Sequence, residues 1–223
     1  MSDVWELLMF LGSSVCHQLP ERSYFLGDVQ MPLCARCIGI QLGFLASASF
    51  LLSFGKRFWS AIPDRRSVIV LGAVMSLFVV DALLSYSGIS PSTNLRRTLS
   101  GLSLGVPLPF VLVSLLRSMI QVPRGQNPEE NTVLGWLSLP LLYIISAAAI
   151  LAANESSLLF YPVSVLGVLG VFVFFWVAAS VILLMLTEKS RADATCKLAG
   201  AAIVAIVSVL ALAMAHGVLF PES

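Results

Sequence analysis

Charged residues are scarce in this chain: only 11% of its 223 residues are Asp, Glu, Lys or Arg, and the formal net charge is +1. A net charge so close to zero gives no support for nucleic acid as a partner. Histidine occurs only twice, which excludes a hydrolytic metal site built on several histidines. The N-terminus carries Asp3 and Glu6 and no basic segment, so we expect no cleavable signal peptide there.

What the chain does have is apolar sequence. Hydrophobic residues make up 58% of it, in long runs that are almost free of charge. About 20 apolar residues in a helix cross the hydrocarbon core of a bilayer, and a helix satisfies its own backbone there. These runs lack the alternation of polar and apolar residues that marks barrel strands. The sequence therefore predicts an all-α integral membrane protein, a polytopic helical bundle in the cell membrane.

The runs divide the chain into six predicted spans. They cover residues 37–54, 67–89, 102–120, 133–153, 163–186 and 198–220. Residues 4–15 are too short to span and predict a half-buried helix at the interface. Pro107 and Pro109 predict a kink near the start of the third span. We expect a motif-bearing part at 1–120, a polar linker at 121–132 and a second part at 133–223.

The distribution of Lys and Arg predicts the orientation. The loops after the first, third and fifth spans carry nine of the thirteen basic residues, whereas Arg22, Arg36, Arg96 and Arg97 lie on the opposite side. Because positive loops stay in the cytoplasm, both termini are expected outside the cell. This orientation brings the polar residues Asp81, Asn94, Glu155 and His216 toward the outer surface.

Three of the four cysteines and one histidine fall in one short stretch, as Cys16, His17, Cys34 and Cys37. The last two form a Cys-x-x-Cys pair just before a span, where a helix N-terminus and Arg36 favour thiolates. These four residues predict a metal site, with zinc, iron or copper(I) as the ion. Two alternatives stay open: a structural disulfide from Cys16 to Cys34 or Cys37, and redox-active thiols.

A carboxylate within a span needs a partner or water, so Asp81 is a functional candidate. The alternative is a structural ion pair or hydrogen bond with Arg97 or Asn94. Asn94, Arg97, Gly101 and Gly105 share one helical face, which indicates close approach of another backbone. Arg97 is also suited to a lipid phosphate or a carboxylate.

Glu21 and Arg22 follow the first cysteine and either belong to the site or form a solvated surface pair. The candidate catalytic residues are Asp81, Arg97, Asn94, Glu21 and Arg22.

The motifs Cys-His-Gln-x-Pro-x-Arg-Ser at 16–23 and Pro-Leu-Cys-Ala-Arg-Cys-x-Gly-Ile at 32–40 resemble the signature of a prokaryotic membrane-protein family, catalogued as domain of unknown function 2085. That family is also similar in having an aspartate in the next helix, then Ser-x-Asn-x-x-Arg and Gly-x-x-x-Gly. The matching positions here are Asp81, Ser92, Asn94, Arg97, Gly101 and Gly105. Ile38 stands where the resemblance implies threonine. The resemblance covers roughly residues 10–118 and implies no established activity.

Three classes of function remain open from the sequence. The first is a metal-dependent enzyme acting on a lipid or small molecule at the outer leaflet. The second is a membrane thiol–disulfide oxidoreductase, which would ordinarily need a second cysteine pair. The third is a non-enzymatic metal-binding or transport protein. Transport would need polar residues along a path through the membrane, and only Asp81 lies deep in a span.

Overall fold

The computed structural model describes residues 2–58, 65–120, 133–186 and 191–220. Its elements in chain order are α1 (Ser2–Gly12), a short 3-10 turn (Pro20–Arg22), β1 (Ser23–Leu26), β2 (Val29–Cys34), α2 (Ala35–Phe58), α3 (Arg65–Tyr86), α4 (Asn94–Gly105), α5 (Leu108–Ile120), α6 (Val133–Glu155), α7 (Ser157–Leu186) and α8 (Arg191–Leu219). The predicted linker at 121–132 lies outside the described residues.

The prediction of a helical membrane bundle is confirmed. Within the described ranges, six segments are long and apolar enough to cross a membrane. The third of these consists of α4 and α5 together, which meet at Pro107. A break is expected there because proline cannot donate its backbone hydrogen bond and its ring crowds the preceding turn. Thr93 begins α4 by accepting a hydrogen bond from the backbone N–H of Arg96, 3.3 Å away.

The N-terminal helix and a small β-hairpin lie together at one end of the bundle. The sequence predicts irregular structure between Cys16 and Cys37, and this prediction is wrong for residues 23–34 because β1 and β2 pair antiparallel there. Leu26 pairs with Val29 across a tight turn that begins at Gly27, whose φ of +59° favours glycine. The hairpin leads directly into α2 and so fixes where that helix begins.

Helix α2 lies at the centre of the bundle and packs most extensively on α4. Glycines allow the two backbones to come close, as the shared face of α4 predicts. A methyl group added to Gly39 would lie 2.6 Å from the carbonyl oxygen of Thr98, and one added to Gly105 would collide with the carbonyl of Ile40. The opposite side of α2 packs on α7.

Helix α3 is peripheral by comparison. It packs mainly on α4 and only slightly on α5. Most of its side chains are exposed on the bundle surface, and the buried ones that the structure describes are Ser67, Leu71 and Asp81. Asp81 is therefore the one carboxylate that this helix directs into the described part of the bundle.

Candidate functional site

The three cysteines of the N-terminal region converge on one point. Cys16 follows α1, Cys34 ends β2, and Cys37 lies in the first turn of α2. Their sulfur atoms all lie within 4.8 Å of one another, and all three are free thiols. Cys16 is buried, whereas Cys34 and Cys37 are half-buried. Three separate segments thus bring their thiols together at the end of the bundle where the hairpin lies.

Backbone hydrogen bonds hold the sulfur of Cys16. The N–H of Gln18 donates to this sulfur at 3.4 Å, and the N–H of Cys34 donates at 3.2 Å. Gln18 adopts a left-handed backbone conformation, with φ of +52°. Its side-chain amide donates to the carbonyls of Met9 and Pro32, at 2.7 and 2.8 Å, which ties α1 to β2. The left-handed turn therefore fixes the segment that presents Cys16 to the cluster.

Hydrogen bonds within the cluster favour a thiolate at Cys34. Hydrogen bonds from the Cys16 and Cys37 thiols, and from backbone N–H groups of the first turn of α2, lower the pKa of the Cys34 thiol far below its usual value. The hydrogen bond with Cys34 is also the largest cause that raises the pKa of Cys16, to about 12. The prediction that the helix N-terminus favours a thiolate is therefore supported for Cys34, one of the two cysteines of the pair. The Arg36 guanidinium instead points to Asp81, 2.6 Å away.

His17 does not belong to the group of three sulfurs. Its side chain is exposed, and its ring packs on His216 and Phe220, with centroid separations of 5.5 and 5.3 Å. His216, near the end of α8, is therefore brought to the same side of the bundle as Cys16. Both ring contacts are edge-on, a geometry that is common where aromatic rings pack together.

Asp81 forms the centre of a second polar cluster. One carboxylate oxygen accepts from Arg36 Nη2 at 2.6 Å and from Ser100 Oγ at 2.9 Å. The other oxygen lies 2.6 Å from Nε of Arg96. The alternative prediction, that Asp81 pairs with Arg97 or Asn94, is wrong, because α4 directs Arg96 and Ser100 toward α3.

Arg97 and Asn94 contact the N-terminal segment instead. Arg97 Nη1 donates to Asn94 Oδ1 at 3.1 Å and to the backbone carbonyl of Glu21 at 3.4 Å. Asn94 donates to the carbonyl of Ser23 at 2.9 Å. Arg22 lies 3.5 Å from the carboxylate of Glu21 in an exposed pair. These four predicted site residues therefore form one polar patch that attaches the 3-10 turn to α4.

Arg36 joins the two clusters. It stands between Cys34 and Cys37 in the sequence, yet its side chain crosses to α3. The sequence predicts Arg36 beside the thiols and does not by itself indicate Arg96 or Ser100 as neighbours of Asp81. Their spacing of four residues on α4 was the available signal, since residues four apart share one helical face.

Comparisons with known proteins match about half of the chain. A family described as "Predicted membrane protein (DUF2085)" matches residues 16–111, which include the three clustered cysteines, Asp81 and all of α4. An uncharacterised protein of Methanocaldococcus jannaschii is 31% identical over 123 residues, which are 53% of this chain and 77% of that protein. An uncharacterised protein of Methanothermobacter thermautotrophicus is 30% identical over 109 residues, which are 48% of this chain and 90% of that protein. No solved structure gives a significant match.

Proposed function

Because the chain belongs to the DUF2085 family of predicted membrane proteins, and its clustered cysteines lie in the matched region, we propose that it binds one metal ion through Cys16, Cys34 and Cys37. The observation that carries the proposal is the mutual distance of the three sulfurs, at most 4.8 Å. Sulfurs bound to one tetrahedral zinc lie about 3.8 Å apart, as bonds of about 2.3 Å require. A small movement is enough for the three to share an ion.

The environment of the sulfurs supports metal binding in a second way. Metal ligands are thiolates, and a thiolate in a partly buried place needs donors that offset its charge. Backbone N–H groups in the first turn of α2 supply such donors at Cys34, and two backbone N–H groups hold the sulfur of Cys16 in place. Charge-assisted hydrogen bonds of this kind stabilise an anion more strongly than neutral ones do.

We propose zinc as the ion. A site with three thiolates favours zinc, iron or copper(I) over harder cations. Among the described residues, no histidine or carboxylate completes the group of three sulfurs. A water molecule or an external ligand would therefore fill the fourth position, unless His17 moves to it. An exchangeable fourth position is what a metal-dependent enzyme acting on a lipid or small molecule would require.

A thiol–disulfide oxidoreductase is the second candidate function. It is favoured by the closeness of three free thiols, two of which would need to approach to about 2.05 Å to form a disulfide. The metal site ranks above it because all three sulfurs, rather than one pair, converge.

Protein purified without a histidine tag is expected to contain about one zinc ion per chain. Cys34→Ser and Cys37→Ser should each lose the metal, because each removes one of three protein ligands. An ion present at a thousand times its dissociation constant stabilises the folded state by about 4.1 kcal/mol. Its loss should lower the melting temperature by roughly 8–16 °C. Elemental analysis and thermal unfolding in detergent measure both effects.

Cys196→Ser is the matched control, because Cys196 is an exposed free thiol on α8 away from the cluster. It should keep the zinc and the melting temperature of the parent protein. Metal-free parent protein with a disulfide between two of the clustered cysteines would contradict the metal proposal and favour the oxidoreductase.

The cysteine cluster is proposed to face the outside of the cell, as the distribution of Lys and Arg predicts. Because the clustered thiols are buried or half-buried, the exposed hairpin turn is a better reporter of sidedness. An Asp28→Cys variant should react with a membrane-impermeant maleimide on intact cells, whereas Cys196 should react only after lysis. Labelling of Cys196 alone on intact cells would reverse the proposed orientation.

A further inference from the structure

Helices α3 and α6 leave a groove between them, because α3 packs mainly on α4, α6 packs mainly on α2 and α7, and the two are not closely packed on each other. Two cavities of about 400 Å³ each occupy this groove. Tyr143 of α6 lines both cavities, so they meet at its side chain. The hydroxyl group of Tyr143 donates to the carbonyl of Leu99 at 2.7 Å. This hydrogen bond holds the tyrosine ring between the two cavities.

One of the cavities contains charged side chains, with an excess of positive charge, among otherwise mostly apolar lining residues. Asp81, Arg96 and Ser100 line it, and Arg36 binds the same carboxylate from α2. Two guanidinium groups thus share one carboxylate, which leaves one positive charge without a counter-charge in this cluster. Arg96 Nη1 also donates to Ser90 Oγ, and the Arg96 side chain is 35% exposed, so its remaining N–H groups are accessible from the groove.

The other cavity is almost entirely apolar. Val70 and Val74 of α3 line one wall, and Trp136 and Ile144 of α6 line the other. From Val70 to Asp81 the groove rises about 16 Å along α3. That length is close to half of the roughly 30 Å hydrocarbon core of a bilayer. The groove thus runs from a cationic end to an apolar end over the depth of one leaflet.

We infer that this groove binds an anionic phospholipid, with its phosphate at Arg96 and one acyl chain between α3 and α6. Charge complementarity supports an anionic headgroup, because the guanidinium of Arg96 presents N–H donors from which phosphate oxygens accept hydrogen bonds. The exposed apolar side chains on both walls, such as Leu77 and Ile144 at 58% and 63%, support an occupant from the bilayer rather than from water. The inference goes beyond the metal centre and does not depend on it.

Trp136 provides the readout, because it lines the apolar cavity. Phosphatidylglycerol with a brominated acyl chain should quench its fluorescence in detergent, measured as the difference between the parent protein and Trp136→Phe. Brominated phosphatidylcholine should need about tenfold more lipid for the same quenching. In Arg96→Gln the preference for phosphatidylglycerol should disappear, whereas Arg97→Gln, the neighbouring cation on another face of α4, should keep it.

Val74→Phe keeps the test informative if Arg96→Gln does not fold. It places a larger side chain in the apolar cavity and leaves the Asp81 cluster intact, so quenching by either lipid should fall. Equal quenching by both lipids in the parent protein would overturn the anionic headgroup, and quenching that does not depend on Trp136 would overturn the groove. Glycerol phosphate should not compete with the lipid; full competition would show that the occupant is a soluble anion instead.

Discussion

Replacing Gly105 by alanine is expected to separate α2 from α4 and to destabilise the protein severely. The new methyl group would meet the carbonyl oxygen, Cα and carbonyl carbon of Ile40, which are backbone atoms. Backbone in a helix cannot rotate away as a flexible side chain does, so one of the helices must move. Overpacking of this kind costs typically 1–3 kcal/mol and occasionally more, and we expect the upper end of about 3 kcal/mol.

Gly72→Ala is the matched control, because Gly72 lies on α3 with open space around it. Its alanine variant should be neutral or stabilised by up to about 1 kcal/mol, since alanine is the better helix former. The expected difference between the two variants is a fall of roughly 6–12 °C in melting temperature for Gly105→Ala only. Equal melting temperatures in detergent would show that α2 and α4 are not in close contact.

Asp81→Asn is expected to be the most destabilising change at a polar residue. The Asp81 side chain is 7% exposed and holds two guanidinium groups, of which Arg36 is 13% exposed. Removing the carboxylate leaves a buried cation without its counter-charge, which costs about 3–5 kcal/mol. Thermal unfolding in detergent should show Asp81→Asn and Arg36→Gln to be similarly unstable.

The double variant Asp81→Asn with Arg36→Gln should recover much of that loss, because it removes both partners of the buried pair. Arg96→Gln should cost about 1 kcal/mol or less, since Arg96 is 35% exposed and water shares its charge. Arg97→Gln should show no coupling to Asp81 in a double-mutant cycle. Strong coupling with Arg97 would contradict the arrangement around Asp81.

The helices of this protein were predictable, because a membrane span is encoded by the length and apolarity of one segment. Their rotation about their own axes was harder to predict. Gly101 and Gly105 face α2, and Arg97 lies one turn before Gly101 on the same stripe. Because this stripe of α4 faces α2, the neighbouring residues Arg96 and Ser100 lie on the face of α4 that is directed toward α3. Arg97 is therefore a poorer candidate than Arg96 for the partner of Asp81.

The hairpin was predictable in part. The dipeptide Gly27-Asp28 between two segments rich in Tyr, Phe and Val is a signal for a tight turn. Pro32 argued against a strand, because proline lacks the N–H that a central strand donates. In a two-stranded hairpin both strands are edges, so Pro32 is tolerated and its carbonyl accepts from Gln18. Convergence of the three cysteines depends on this hairpin, although their shared site was predicted from residue types alone.

The contact between α2 and α7 has a consequence for biosynthesis. Gly170 of α7 approaches the backbone of Gln41, and Gly167 approaches the side chain of Ile38, so one face of α2 is completed by a helix made much later. About 130 residues separate the two contacts, and synthesis at 5–20 residues per second takes roughly 6–26 s to cover them. During that interval the newly inserted α2 exposes Gln41 to lipid or to an insertion factor. A ribosome that stalls before α7 would leave this face uncovered and open to membrane proteases.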